Sequence, residues 1–173
     1  MLDAEIETAL SDHLNREIYS SHLYYSMAAW FEARTLKGFS HWLRIQALEE
    51  LSHVQKFFSY VPERGGRLRM LAVEAPPIEW KSPLAVFQAV HAHEVGVSAM
   101  INRLADLAIA KGDHATVNFL QWFIAEQVEE EASADEAVQR LKLVDQTPGG
   151  LFLLDQEMNK RVFTVLPEVA AAF

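Results

Sequence analysis

The sequence of 173 residues contains no cysteine. This absence excludes disulfides, thiolate metal sites and iron–sulfur clusters. Any metal site in the chain must therefore use carboxylate oxygens and imidazole nitrogens, which favour hard or borderline metals. Such a site remains possible, because the chain has 24 acidic residues and 7 histidines.

The chain also lacks an excess of positive charge, and it lacks long apolar runs. With 15 basic residues against 24 acidic ones, the formal net charge is -9. This balance argues against a nucleic-acid or anionic-membrane partner and suits a protein that attracts cations. No uncharged apolar run reaches transmembrane length, and the acidic N-terminal residues show neither a signal nor a transit peptide. We therefore expect a cytoplasmic protein with no membrane and no nucleic acid among its partners.

Glycine and proline are scarce, and most of them stand at breaks between long patterned stretches. Hydrophobic residues make up 50% of the chain. Between the breaks they recur at alternating steps of three and four, which is typical of helices in a bundle. This spacing predicts one all-α domain over residues 1–173. Its helices are expected at about 4–34, 38–62, 83–111, 114–144 and 149–160, with a crossover over 62–82.

The lengths of the connections predict how these helices are arranged. A short turn at Lys37-Gly38 makes the first two helices antiparallel neighbours. The crossover has roughly twenty residues, and an extended chain covers ~3.3 Å per residue against ~1.5 Å in a helix, so it can run the length of a bundle. We predict an antiparallel four-helix bundle with a long second-to-third connection. The fifth segment is short, and its apolar face is expected to pack against other subunits or the bundle end.

Each of the four long helices carries polar residues within its apolar stripe, close to the middle of the helix. Mid-helix positions of antiparallel neighbours share a layer, so these side chains are expected to meet inside the bundle. Glu50 and His53 form an i, i+3 pair that projects from one helix face. The full set of inward polar residues is Glu17, Glu50, His53, Glu94, Gln127 and Glu130.

Several carboxylates in one dry layer raise each other's pKa and cannot all stay ionised without cations. Two divalent cations would resolve this, and an oxygen-rich set with one nitrogen favours iron or manganese. The set matches ferritin-like di-iron bundles, which place Glu on two helices and Glu-x-x-His on the other two. The fourth helix here carries Gln127-x-x-Glu130 instead, which predicts weaker binding of the second metal.

Four motifs at consistent separations give the chain a strong resemblance to the bacterial non-haem ferritins. They are LNREIYSS at 14–21, LEELSH at 48–53, NFLQWFIAEQ at 118–127 and GLFLLD at 150–155. The resemblance covers nearly the whole chain. It implies a cytoplasmic shell of twenty-four subunits that oxidises Fe(II) with dioxygen or hydrogen peroxide and stores ferric mineral inside.

The resemblance also implies roles for individual residues. Glu17, Glu50 and His53 match a first ferroxidase metal site. Residues Glu50, Glu94 and Glu130 match a second one, with Gln127 nearby. A third iron site of bacterial members is matched by Glu49, Glu126 and Glu129. From the residues alone, these last three lie off the core face, where a solvated acidic surface is the plainer interpretation.

Further residues bear on the chemistry. Tyr24, one heptad after Glu17, is either a core aromatic with a hydrogen-bonded hydroxyl or a redox partner of the di-iron site. Bacterioferritins carry a haem-ligating Met directly after the second-helix Glu, and Leu51 stands there, so no haem is expected. The histidines other than His53 have no evident partner set, and most are expected to be solvated or at interfaces.

Two other functions fit the same pattern. One is a shell that sequesters iron without oxidising it, against which the intact ligand set argues. The other is a discrete di-iron oxidase or peroxidase that forms no cage, against which the fifth helix argues. The preferred hypothesis is a ferroxidase that assembles as a cage.

Overall fold

The computed structural model describes residues 2–163, and it contains five helices and no strand within that range. The predicted all-α fold is thus confirmed. The apolar tail after residue 163, whose role the sequence leaves open, lies outside the described residues. The helices are α1 (Ala4–Glu32), α2 (Lys37–Glu63), α3 (Pro83–Ala110), α4 (His114–Val144) and α5 (Gly150–Met158).

Three of the long helices begin at residues that cap them locally. The Asp3 side chain accepts a hydrogen bond from the Glu5 amide, Ser82 from the Ala85 amide and Asp113 from the Thr116 amide. Each of these oxygens satisfies an amide that the first helical turn leaves without a partner. The start of α2 lacks such a cap within its own sequence.

The long connection between α2 and α3 is held along α1. The Asn15 side chain donates to the carbonyl of Arg69 at 2.7 Å and accepts from the amide of Leu71 at 2.8 Å. Further along, the Ser26 hydroxyl donates to the carbonyl of Pro77 at 2.7 Å. Helix α1 packs against α2 and α3, and α3 packs against α4. The connection therefore runs back along the bundle before the second helix pair starts.

The interior has two apolar clusters with a polar layer between them. One cluster takes its α1 members from residues 6–14 and its α2 members from residues 54–61, and it includes Leu10 and Phe57. The other takes its α1 members from residues 23–31 and its α2 members from residues 39–47, and it includes Phe31 and Phe39. On α3 and α4 the same two clusters are separated by Glu94 and by residues 127–130. All four helices thus present their buried polar residues at one level.

Helix α5 packs at one end of the bundle. Its residue Asp155, which is far from α2 in sequence, caps the start of α2. The buried Asp155 carboxylate accepts hydrogen bonds from the amides of Gly38 at 2.8 Å and Phe39 at 3.0 Å. Glycine is required at position 38, because a Cβ there would collide with the carbonyl oxygen of Asp155. While Leu154 and Met158 join the core, Phe152 and Leu153 on the same helix are exposed.

Among the described residues, α3 alone has the length and composition of a membrane span. The core helix of a bundle passes the same test, and α3 packs against α1 and α4. It also buries the polar residues His93 and Glu94.

Candidate metal centre

The buried polar layer contains two groups of possible metal ligands that share one residue. The first group is Glu17, Glu50 and His53, and the second is Glu50, Glu94 and Glu130. In each group the ligand atoms lie within 4.8 Å of one another. Four of the five residues are 1% exposed and Glu130 is 7% exposed. Helical periodicity brings residues from α1, α2, α3 and α4 to one point, as the sequence predicted.

Several polar atoms at this point have no ordinary hydrogen-bond partner. The Nδ1 atom of His53 lies 3.6 Å from Glu17 Oε2 and 3.4 Å from Glu50 Oε2, distances at or beyond the edge of a good hydrogen bond. His53 Nδ1, Glu17 Oε2 and Glu130 Oε2 are buried and unpartnered. Buried polar groups are rarely left in this state. Divalent cations placed among them would satisfy these atoms, so the residues present fit a metal pair.

The pKa values of three buried carboxyl groups in the layer are raised. Burial raises the pKa of Glu50 and of Glu94 to about 8. Burial, together with the charges of Glu50 and Glu94, also raises the pKa of Glu130 well above its usual range. These shifts mean that the metal-free layer holds protons on its carboxyl groups near neutral pH. A divalent cation has the charge to displace those protons.

The pKa values of Glu17 and His53 are shifted in the directions that favour an ion pair between a carboxylate and an imidazolium. Although burial acts to raise the pKa of Glu17, its contacts with His13 and His53 hold that pKa well below the usual range. Burial acts to lower the pKa of His53, but the contacts with Glu17 and Glu50 raise it well above its ordinary value. In the metal-free protein the imidazolium thus supplies part of the positive charge that metals would otherwise bring.

Two neighbours hold the Glu94 carboxylate. The Tyr24 hydroxyl donates a hydrogen bond to Glu94 Oε1. The Gln127 side-chain amide donates to Glu94 Oε2 at 3.2 Å and to the Glu94 carbonyl at 3.3 Å. In this orientation Gln127 positions a ligand with its nitrogen. Its own role as a metal ligand, through its oxygen, stays a prediction.

Two further side chains that were not predicted as site residues touch the layer. His13 is buried with its Nε2 atom 2.8 Å from Glu17 Oε1, and its ring packs against Phe57 and Phe123. The amide of Gln46 donates to Glu130 Oε1 at 2.9 Å. His13 lies four residues before Glu17, and Gln46 lies four residues before Glu50. This i, i+4 relation, which places two side chains on one helix face, was the available signal.

His13 and His93 are exceptions to the expectation that most other histidines are solvated or at interfaces, because both are buried whereas the other four are partly or fully exposed. The two nitrogens of His93 hydrogen-bond Ser20 at 2.7 Å and Arg16 at 3.1 Å. Burial lowers the pKa of His93 to about 4, so its ring is neutral and accepts from the Arg16 guanidinium.

The three acidic residues predicted for a third metal site do not form a compact ligand cluster. Within residues 2–163 no group of three ligand atoms within 4.8 Å includes Glu49, Glu126 or Glu129. Glu49 receives a hydrogen bond from the guanidinium of Arg161. Burial raises the pKa of Glu49, and the charge of Glu126 acts in the same direction. Glu129 is exposed to solvent. The third site stays a prediction.

Residues 7–144 match the family described as Ferritin-like domain. The chain belongs to the ferritin family. It is 36% identical to the bacterial non-heme ferritin of Bacteroides fragilis over 161 residues, which span 93% of this chain and 100% of that protein. It is 37% identical to the bacterial non-heme ferritin of Escherichia coli O157:H7 over 159 residues, with 92% and 96% covered. The resemblance inferred from the four motifs is thereby confirmed.

Solved ferritin structures share this fold throughout the bundle. An engineered closed form of the Archaeoglobus fulgidus ferritin superposes with a TM-score of 0.93 at 49% identity, covering 95% of this chain and 100% of that one. The open pore ferritin of the same archaeon gives a TM-score of 0.92 at 49% identity, with 94% and 100% covered. The ferritin-like four-helix bundle with a short fifth helix is thus confirmed for this family member.

Proposed function

We propose that this ferritin is an iron-storage protein with ferroxidase activity. Two Fe(II) ions bind in the buried layer, dioxygen or hydrogen peroxide oxidises them to Fe(III), and ferric oxyhydroxide is stored inside a hollow cage. One observation carries this proposal. Two buried ligand groups from four helices share Glu50, and each group includes a residue with a buried atom that has no hydrogen-bond partner. A carboxylate shared in this way can bridge two ions.

The roles of the ligands follow from their positions. Glu17, Glu50 and His53 hold one Fe(II) substrate, and Glu50, Glu94 and Glu130 hold the other. Each Fe(II) loses one electron, so the pair delivers two electrons to the oxidant, which is reduced by two electrons and takes up protons. Because the pKa of Glu50 and of Glu94 is about 8, their protons leave as Fe(II) binds and become available for that step.

Tyr24 and Gln127 act on the second iron through Glu94. The hydroxyl of Tyr24 and the amide of Gln127 both donate to its carboxylate, which supports a role in setting the orientation of that ligand. We place Tyr24 among the catalytic residues on this ground, with a direct redox role as the alternative. Gln127 is a further candidate ligand should its amide rotate.

The names of the curated relatives support an iron function without haem. Leu51 follows Glu50 at the position expected of a haem-ligating Met, and its side chain offers no ligand atom. We propose assembly into a homo-oligomeric cage of twenty-four subunits in the cytoplasm. The exposed Phe152 and Leu153 on α5 suit burial between subunits.

The ferroxidase proposal is tested by adding Fe(II) aerobically to the metal-free protein and following ferric absorbance. We expect Glu50→Ala to slow the initial rate by about a hundredfold or more, since it removes a ligand of both ions, and His53→Ala by about tenfold or more. Glu63→Ala is the matched control, because it removes an exposed carboxylate from the same helix as Glu50 and His53 and should leave the rate within about twofold. Equal rates in all four proteins would contradict ferroxidase activity.

Two rival functions are separated by the same samples. A shell that only sequesters iron would take up Fe(II) with no dependence of the oxidation rate on Glu50 or His53. A discrete di-iron oxidase would keep that dependence but elute as a monomer or dimer in size-exclusion chromatography. Elution at the size of a large closed assembly, together with ligand-dependent oxidation, is the outcome expected here.

A further inference from the structure

Helices α3 and α4 each carry two polar residues one turn apart where the two helices pack together. On α3 these are Glu94 and Ser98, and on α4 they are Gln127 and Glu131. Each pair has the i, i+4 spacing that puts two side chains on one helix face. Helix α3 packs against α4, so the four side chains lie between a buried metal ligand and a half-buried carboxylate.

Hydrogen bonds join these four side chains in a chain. The Ser98 hydroxyl donates to Glu131 Oε1. The side-chain nitrogen of Gln127 donates to Ser98 Oγ at 3.3 Å and to Glu94 Oε2 at 3.2 Å. The same nitrogen also donates to the backbone carbonyl of Glu94 at 3.3 Å. Glu131 is thus connected to the second ligand group through two intermediate side chains.

The direction of these hydrogen bonds is set at the Glu131 end of the chain. A serine hydroxyl has one hydrogen, and an ionised carboxylate can only accept. Because the Ser98 hydrogen points to Glu131, the serine oxygen offers only lone pairs to Gln127. The nitrogen of the amide can donate to those lone pairs, whereas the amide oxygen would be repelled by them. Glu131 therefore decides which end of the Gln127 amide faces α3.

Packing does not fix this orientation of the amide. The nitrogen and the oxygen of a glutamine side chain have nearly the same size, so either one fits the same space. A cavity of about 100 Å³ also lies beside the amide, with Ser98, Gln127 and Glu131 among its lining residues. This cavity leaves room for the amide to turn. The hydrogen bonds are thus the feature that holds the nitrogen towards Glu94.

We propose that Glu131 is a positioning residue of the second iron site. Acting through Ser98, it holds Gln127 as a hydrogen-bond donor to Glu94 and keeps the amide oxygen of Gln127 from coordinating the metal. This inference rests on the proposed function, because it requires that the second ligand group hold an ion.

The rival interpretation is that Glu131 and Ser98 only join α4 to α3. A structural tie of this kind changes the stability of the bundle but gives Gln127 no new contact with a metal. The coordination of the bound metal, and its dependence on Gln127, therefore separate the two roles.

The experiment titrates Co(II) into the assembled metal-free protein and records visible absorption, because Co(II) takes oxygen and nitrogen ligands and its bands depend on its coordination. The wild-type protein is expected to bind two Co(II) per subunit. In Glu131→Gln the new amide can donate to Ser98, whose own hydrogen is then free for the oxygen of Gln127. We expect the bands of the fully loaded variant to shift and weaken, because Gln127 adds an oxygen ligand.

A double-mutant cycle tests whether this shift depends on Gln127. Gln127→Leu removes the amide, so Glu131→Gln should have no effect on the Co(II) bands in that background. A shift of the same size with and without Gln127 would overturn the proposal, because Glu131 would then act by another route. Unchanged bands in Glu131→Gln alone would overturn it as well.

Asp135→Asn is the matched control. Asp135 lies one turn beyond Glu131 on α4, is exposed, and accepts a hydrogen bond from Gln139 at 2.9 Å. Its substitution removes the same charge without changing the hydrogen-bond chain, so the wild-type bands are expected. A shift equal to that of Glu131→Gln would show that net charge controls the spectrum, which would refute the positioning role.

Two variants of Ser98 decide the matter if Glu131→Gln fails to assemble. Ser98→Thr keeps the hydroxyl and is expected to keep the wild-type bands, whereas Ser98→Ala breaks the chain and is expected to shift them. Identical bands in these two variants would overturn the proposal. Binding of fewer than two Co(II) by the wild-type protein would instead contradict the proposed function, and with it the role of Glu131.

Discussion

Glu50 and Glu49 are neighbours in sequence, yet they lie in different chemical environments. Glu50 is 1% exposed, its pKa is raised to about 8, and it belongs to both ligand groups. Glu49 is half-buried, and a guanidinium compensates its charge. A rotation of about 100° around α2 separates the two side chains. The comparison shows that the position on the helix, and not the residue type, decides whether a carboxylate lies among other carboxylates or beside a guanidinium.

The same contrast recurs on α4. Glu130 is buried with one oxygen unpartnered, whereas Glu129 is exposed to solvent. The negative charge of the inner carboxylates, such as Glu50 and Glu130, is compensated by protons, His53 or metal. The outer carboxylates, Glu49 and Glu129, are compensated by Arg161 or face solvent. If this distinction is correct, substitutions and pH should act strongly on the inner set and weakly on the outer set.

The largest expected effect is a fall in stability of the metal-free protein as pH rises. The pKa values of Glu50 and Glu94 are raised to about 8 in the folded state from an ordinary 4.5, so between these values the folded protein keeps protons that the unfolded chain releases. The stabilisation of the folded protein by these protons is fully present below about pH 4.5 and is lost by about pH 8. Between these values the free energy of unfolding falls by about 1.4 kcal/mol per pH unit for each group. His53, whose pKa is raised, acts in the same direction above its ordinary value.

We therefore expect the free energy of unfolding by urea, after chelation of metals, to be about 3 kcal/mol or more lower at pH 8 than at pH 5.5. Saturation with Zn(II) should remove most of this dependence, because metal then replaces the protons. Equal stability of the metal-free protein at both pH values would refute the assignment of a protonated inner layer.

The next largest effect is expected for Glu130→Gln, and Glu129→Gln is the variant compared with it. In the metal-free protein at about pH 8, Glu130→Gln should raise the free energy of unfolding by about 2 kcal/mol, because the buried carboxyl no longer has to be kept protonated. The glutamine oxygen can still accept the hydrogen bond from Gln46. Glu129→Gln should change stability by no more than about 0.5 kcal/mol. Similar changes in the free energy of unfolding by urea for the two variants would contradict the distinction between Glu130 and Glu129.

A smaller effect is expected at His13. Replacement by leucine removes the imidazole nitrogen that lies 2.8 Å from Glu17 Oε1, and it should weaken Zn(II) or Co(II) binding by about tenfold, as is usual for residues that orient metal ligands. Glutamine at this position can donate to the same oxygen and should keep the affinity within about threefold. His93→Gln, which alters a buried histidine with no hydrogen bond to a ligand, is the control. Identical affinities for the leucine and glutamine variants would exclude a positioning role.

The smallest effect concerns Tyr24. Tyr24→Phe removes the hydrogen bond to Glu94 while keeping the ring in the core, and it should slow Fe(II) oxidation about threefold with an unchanged number of bound ions. Tyr25→Phe, on the exposed side of α1, should leave the rate unchanged. A loss of bound metal in Tyr24→Phe would show that this tyrosine supports binding and not the oxidation step.

Much of the fold and of the inner layer could be predicted because both follow from local periodicity. The three-four spacing places Glu17, Glu50 and Glu94 on inward faces, and mid-helix positions meet when neighbouring helices are antiparallel. His13 and Gln46 share those faces but were not assigned to the site, because a single polar side chain on an apolar face has no distinctive pattern of its own. The i, i+4 spacing becomes informative only once the ligands are known.

The packing of α5 at the bundle end was among the expectations, but the hydrogen bonds made by α5 and by the segment after it could not be predicted. Asp155 caps α2 through Gly38 and Phe39, and Arg161 reaches Glu49, at sequence separations of more than a hundred residues. Nothing in a helical pattern encodes which distant backbone amide or carboxylate a side chain will meet. Such pairs form only when the bundle has closed and α2 lies beside the segment from α5 onward.

The sequence by itself determined that this chain is a helical bundle with a carboxylate and imidazole layer at its centre, because hydrophobic periodicity assigns each residue to a face. The tertiary structure decided how each acidic residue is compensated. Burial leaves Glu50 and Glu130 in need of protons or metal, and Arg161 supplies Glu49 with a charge from the chain itself. The physical reason is that the pKa and the metal affinity of a carboxylate depend on the charges and solvent around it, and folding alone brings those together.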